Sequence, residues 1–167
     1  MKRCLPPRNL HPTRRLHLVD VENLLGCTRP TTEEAKACRD EYNERASVQP
    51  GDLVVVACNH GAAFAVGLGW SGARLLLRSG PDGADLALLG VIAHESVEKR
   101  FAAIVVASGD GCFADAVAWL GRHGLDVTVV SKARALSRRL ELAAKHVVIW
   151  DATPSPANPA AVMREAA

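Results

Sequence analysis

The chain has 167 residues, 49% hydrophobic and 23% charged, enough for one domain with a sizeable core and cramped for two. No apolar run nears the ~20 residues needed to span a bilayer, and one tyrosine with few other aromatics argues against an aromatic platform for stacking RNA bases. The net charge of +2 hides an asymmetry, since Lys2, Arg3, Arg8, Arg14 and Arg15 give the first fifteen residues +5 and leave −3 for the remainder.

In chain order, residues 1–15 read as a basic, disordered arm able to add screened attraction to nucleic-acid phosphates. Pro6, Pro7 and Pro12 interrupt it and no apolar stretch of about 7–15 residues follows, so a secretory signal is not expected and the setting is taken as cytoplasmic. Short β-rich runs then alternate with helical patterns, the mark of βαβ units and a parallel sheet. The strands are expected at 16–21, 52–58, 73–78, 102–108, 126–131 and 146–151, nearly continuous in Val, Leu and Ile as in strands covered on both faces. Between them the pattern predicts a charged helix over 31–46 and a small-residue helix or turn over 60–70. An amphipathic helix is expected over 83–100 with Leu89, Ile92 and Ala93 on its apolar stripe. Another is expected over 112–124 with Phe113, Val117 and Leu120 inward, then a basic-faced helix over 134–146. Residues 152–167, rich in Pro and Ala, read as a loose tail behind a single domain over 16–151. Right-handed crossovers make this a three-layer α/β/α sandwich with a mainly parallel sheet.

Cys4, Cys27, Cys38, Cys58 and Cys112 are odd in number and lack any CxxC, which suits reduced thiols rather than disulfides or a structural zinc cage. Cys112 stands at a helix start, where a thiol can be activated. Spacing names no paired histidine, however, and a small packing residue is the simpler reading. Asn59 and His60 follow the second strand and read as a polar loop. No G-x-G-x-x-G or Walker A pattern is present, so neither NAD nor ATP is indicated.

The acids are the informative residues. Asp20 ends the first strand, Asp82 and Asp85 follow the third, and Asp110 follows the fourth. That puts carboxylates on the edge of a parallel sheet where ligands collect. If strands one and four are neighbours, about 4.8 Å apart, Asp20 and Asp110 can share one ion. Gathered carboxylates repel, so either one keeps its proton or a cation neutralises them. Hard oxygen donors on an open rim suit Mg2+ or Mn2+. Helix capping is the rival explanation for each acid. It accounts poorly for Asp20, because "DVENLLG" runs into Gly26 and Pro30 instead of a long helix. Asp115, a turn beyond Cys112, reads as a solvent-facing helix residue. Lys132, Arg134, Arg138 and Arg139, with Arg78 from the third strand, offer a phosphate-gripping face of RNA-binding character.

The chain resembles the NYN domains, a branch of the PIN-like ribonucleases, from about Leu16 to Asp151. The resemblance is carried by "VDVENLL", "GADLALL", "VVASGDGCF" and "LSRRLELAAKHVVIWD", four segments in order at fitting intervals. It implies sheet order 3-2-1-4-5 and metal-dependent cleavage of RNA phosphodiester bonds. Asp20, Asp85 and Asp110 would then be ligands of Mg2+ or Mn2+, Asn23 a polar partner of metal or phosphate, and Asp82 a candidate fourth carboxylate. The chain departs from the family where Cys112 replaces a frequent second aspartate and Asp82 a frequent lysine. The expectation is therefore a cytoplasmic, metal-dependent ribonuclease. Its alternative is a catalytically weakened PIN-like module that binds RNA or a protein partner, with a homo-oligomer left open.

Overall fold

A computed structural model describes residues 14–150. Of the expected arm only Arg14 and Arg15 fall within that range, and the expected tail and Asp151 lie outside the described residues. Six strands form one parallel sheet: β1 (Arg15–Asp20), β2 (Leu53–Cys58), β3 (Arg74–Leu77), β4 (Ala103–Ala107), β5 (Asp126–Ser131) and β6 (His146–Ile149). Their order is β3-β2-β1-β4-β5-β6, which contains the expected 3-2-1-4-5 and adds β6 beside β5. The helices are α1 (Val21–Leu25), α2 (Thr32–Arg45), α3 (Ala63–Gly69), α4 (Gly83–His94), α5 (Val97–Arg100), α6 (Ala114–Arg122) and α7 (Arg138–Ala143).

Alternation along each strand divides the core in two. Leu16, Leu18, Val55, Ala57, Ile104, Val106, Val127 and Val129 pack with Leu88 and Val91 of α4, Val117 and Leu120 of α6, and Leu140 of α7. Val19, Val56, Cys58, Val105, Ala107 and Val130 pack on the other face with Ala35, Cys38 and Tyr42 of α2 and Val66 of α3. Helices thus cover both faces of an all-parallel sheet, and the three-layer α/β/α sandwich follows. At the amino edge, Arg15 belongs to β1 and not to a free arm. Its Nε donates to Asp52 Oδ2 at 3.0 Å, and Asp52 also meets the fully buried His17 at Nε2.

Three helical expectations are corrected. The 83–100 pattern breaks at Ser96, which has φ +50°. A straight helix would carry the buried stripe of Leu88, Val91 and Ile92 onto Glu95 and Lys99, whereas the break turns Val97 into the core. Ala93 is exposed rather than inward. The helix expected over 134–146 begins only at Arg138. Before it, the amides of Ala135 and Leu136 close a turn on Lys132 O, and that of Ser137 donates to Gly109 O at 2.8 Å. Asp20 does cap a helix, the five-residue α1, by accepting from Asn23 N–H at 3.1 Å.

Candidate metal centre at the carboxyl edge of the sheet

Leu16, Leu18 and Asp20 share one face of β1, so the same alternation that buries the leucines aims Asp20 at the α4–α6 layer. Asp85 arrives from the opposite side because Gly83 opens α4 against the Arg78 carbonyl, where a Cβ would clash. That contact seats Asp85 in the first helical turn, and Asp82 enters the turn with φ +53°. Asp110 leaves β4 through Ser108 and Gly109. Gly109 is needed there, since a Cβ would strike the Ala135 carbonyl and Ser131 Oγ.

The carboxyl of Asp85 is hydrogen-bonded to Asp20. One oxygen each of Asp85 and Asp110, with Cys112 Sγ, all lie within 4.8 Å of one another. Asp20 is 5% and Asp85 8% exposed, and Asp85 Oδ1 has no hydrogen-bond partner among the described residues. Burial, then the charges of Asp20, Asp110 and Asp82, push the Asp85 carboxyl up to about 7. Burial likewise raises Asp20, although Asn23 N–H opposes it. The expected set thus converges as a chain. Asp85 and Asp110 face each other with Cys112, while Asp20 touches Asp85 and is not part of the tight group.

Cys112 is the member that sequence reasoning missed as a donor. It is exposed, not packed. Burial of its sulfur and the charges of Asp85 and Asp110 push the thiol up to about 12, the opposite of the activation a helix start can give. Its signal was already present in "SGDGCF", one residue beyond a Gly that follows Asp110.

Asn23 has a different partner from the expected metal or phosphate. Its Oδ1 accepts from Gly109 N–H at 2.9 Å, tying α1 to the β4 exit. Asn23→Ala should therefore loosen the turn that holds Asp110 and cost about 1–2 kcal/mol, read by chemical denaturation; a loss below the error of that measurement would deny the brace. Asp82 occupies the cap position of α4 without a side-chain cap bond, and Asp110 caps its own turn through Cys112 N–H at 2.8 Å. Asp115 is occupied by Arg139 at 2.7 Å and stays outside the cluster.

Among the expected phosphate-gripping residues, Arg138 pairs with Glu141 at 2.6 Å and Arg139 with Asp115. Lys132 and Arg134 make no ion pair among the described residues, and Arg78 is exposed. Asn59 is taken up by Glu22 Oε1 at 2.6 and 2.7 Å, and His60 by Ser79 Oγ at 2.8 Å. Both serve the loop. Beside Cys112 a groove of about 570 Å³ runs between α4 and α6, lined by Leu89, Ile92, Ala116 and Trp119.

The donor chemistry fits a divalent cation. A buried carboxylate oxygen without a partner is costly, and an ion among these acids would satisfy it and offset their repulsion.

No protein-family model matches the chain, and no curated protein matches its sequence. Among solved structures it is similar to the crystal structure of a protein of unknown function from Vibrio parahaemolyticus. The two share 17% identity at a TM-score of 0.55, over 89% of this chain and 98% of that one. At that identity the likeness shows the α/β fold alone. No helix among the described residues is long and apolar enough to cross a membrane.

Proposed function

We propose that the protein is a divalent-cation-dependent phosphodiester hydrolase acting on RNA, the substrate class implied by the resemblance to NYN domains. The observation that carries this reading is the buried Asp85 carboxyl, its Oδ1 unpartnered among the described residues, grouped with Asp110 and Cys112 at the carboxyl edge of the sheet. Asp85 and Asp110 would hold Mg2+ or Mn2+, which when bound supplies acidified water and positive charge against the phosphoryl oxygens. Asp20 holds Asp85 in place through their hydrogen bond, and Asn23 fixes the turn before Asp110. Asp82 adds negative charge felt by Asp85 and Cys112.

Lys132 and Arg134 would attract the RNA backbone. Arg138 and Arg139 can exchange their carboxylates for phosphates, because exposed pairs are worth only about 0–1 kcal/mol. A cytoplasmic setting suits the exposed thiols of Cys27 and Cys112. The test is labelled single-stranded RNA with the purified chain in Mn2+ or in EDTA, beside Asp20→Asn and Asp85→Asn. Cleavage confined to the wild type with Mn2+ is expected, and equal cleavage in every tube would refute the proposal.

A second reading, an RNA-binding module without turnover, is favoured by the thiol in the donor group. It predicts salt-dependent RNA retention with no cleavage under any divalent ion.

A further inference from the structure

We infer that the rim centre selects a thiophilic cation, zinc ahead of magnesium, because Cys112 Sγ stands as its third donor beside Asp85 and Asp110. This rests on the rim being a cation site, the premise of the proposed function, and not on RNA being the substrate.

Two independent observations bear on it. Cys112 Sγ lies within 4.8 Å of an oxygen of both Asp85 and Asp110, a mixed set of two carboxylates and one sulfur. Separately, the Asp85 side chain of this group is 8% exposed and leaves Oδ1 without a partner among the described residues, so the group includes a buried acceptor that no described residue satisfies.

Magnesium demands a near-octahedral shell of oxygens and dehydrates reluctantly. Sulfur contributes little to such a shell, whereas thiolate is a strong ligand of zinc and of cobalt(II). Three protein donors also match zinc sites that keep a position open for water or substrate, in contrast to the four donors of closed structural sites. Here the open side is the rim, where Asp110 and Cys112 are both exposed. Binding would release the Cys112 thiol proton to solvent and leave the thiolate on the cation. The other described thiols do not compete at this place: Cys38 and Cys58 are buried on the opposite face of the sheet, and Cys27 follows α1 outside the donor group.

The test is spectroscopic. The full chain, stripped with a chelator and kept reduced, is titrated with cobalt(II), then with zinc or with a large excess of magnesium. A sulfur-to-cobalt charge-transfer band in the near ultraviolet is expected, erased by zinc and untouched by magnesium. Cys27→Ser should keep the band. Cys112→Ser and Cys112→Asp should lose it, and Cys112→Asp should lower the preference for zinc over magnesium about tenfold or more, at least the loss typical of a disturbed ligand shell. Because Cys112 is exposed, thermal melts of both variants serve to check that they fold. Cobalt uptake without the band, or an unchanged preference in Cys112→Asp, overturns this inference and leaves the hydrolase reading standing. A zinc-quenched band without RNA cleavage under any cation supports the inference and removes that reading. No cobalt uptake at all removes both.

Discussion

Asp85→Asn is expected to raise the stability of the cation-free protein at pH 8 by on the order of 2–4 kcal/mol and to erase the stabilisation that Mn2+ or Zn2+ gives the wild type. The folded protein holds the Asp85 carboxyl at about 7 against an ordinary 3.8, mainly by burial and the neighbouring charge of Asp20. A carboxyl raised in this way favours folding of the protonated form. The contribution is harmless below pH 3.8, and stability is lost progressively as pH rises from there through about 7. Asparagine of nearly the same shape carries no charge and can still donate to Asp20, as the protonated acid does. The gain should therefore be largest at pH 8 and shrink toward zero near pH 4. A bound cation stabilises the folded wild type by an amount that grows with the logarithm of its concentration over Kd. With one of its donors gone, Asp85→Asn should show little of that rise. Thermal melts at pH 5 and pH 8, with EDTA or with Mn2+, read both effects. A variant less stable than the wild type at pH 8, or one that keeps the full cation-dependent rise, would deny the site its central carboxylate.

Asp52→Ala is expected to cost about 3–5 kcal/mol while leaving cation-dependent stabilisation intact, because it leaves a buried charge network without its anion at the opposite edge of the sheet. The Asp52 side chain is 4% exposed. It accepts from Arg15 N–H and Gln49 N–H at 3.1 and 2.9 Å, from Arg15 Nη2 at 2.8 Å and from His17 Nε2 at 3.2 Å. Burial alone would raise this carboxyl, but the Gln49 and Arg15 donors outweigh it and hold Asp52 down to about 2. An ionised carboxylate only accepts, so His17 keeps its proton on Nε2 and Nδ1 accepts from Tyr42 Oη at 2.8 Å. Burial lowers the pKa of His17 from 6.5, despite the pull of Asp52. Both groups weaken the fold toward acid: the contribution of His17 is lost as pH falls below 6.5, and that of Asp52 only as pH falls from 3.8 toward about 2. Denaturation of the variant by urea at pH 7 checks the loss. A change under 1 kcal/mol would mean that Arg15 and His17 find water or other partners at no cost.

The two variants separate frame from site. One should lose stability and keep the cation response, and the other should gain stability and lose it.

Much of this arrangement was legible in the residues. Val55 to Cys58 or Ile104 to Ala107 can be continuously apolar only where helices cover both sides, and the pattern of such runs required a parallel sheet. Parallel crossovers send every strand's carboxyl end to one edge, so Asp20, Asp85 and Asp110 were bound to arrive there together. The roles within that group were less legible. Asp20 reads as a ligand from its position and lies against Asp85, outside the tight group, while the Asn23 side-chain oxygen, read as a partner of metal or phosphate, is taken by Gly109 N–H. Cys112, set aside as a packing residue, lies in the donor group. Arg139, expected on phosphate, rests on Asp115.

The amino-acid sequence by itself determined the layer architecture, the two-faced core and the edge on which the acids collect, because hydrophobic periodicity and the handedness of crossovers act over a few residues at a time. Only the tertiary structure decided which of those acids face one another and how short the last helices are. Those outcomes depend on contacts between segments far apart in the chain: Gly83 on the Arg78 carbonyl, Gly109 on Ala135 and Asn23, Val97 turned into the core by the break at Ser96. The direction of a side chain in a turn is set by whichever distant backbone group takes its hydrogen bond, and local pattern carries no record of that partner.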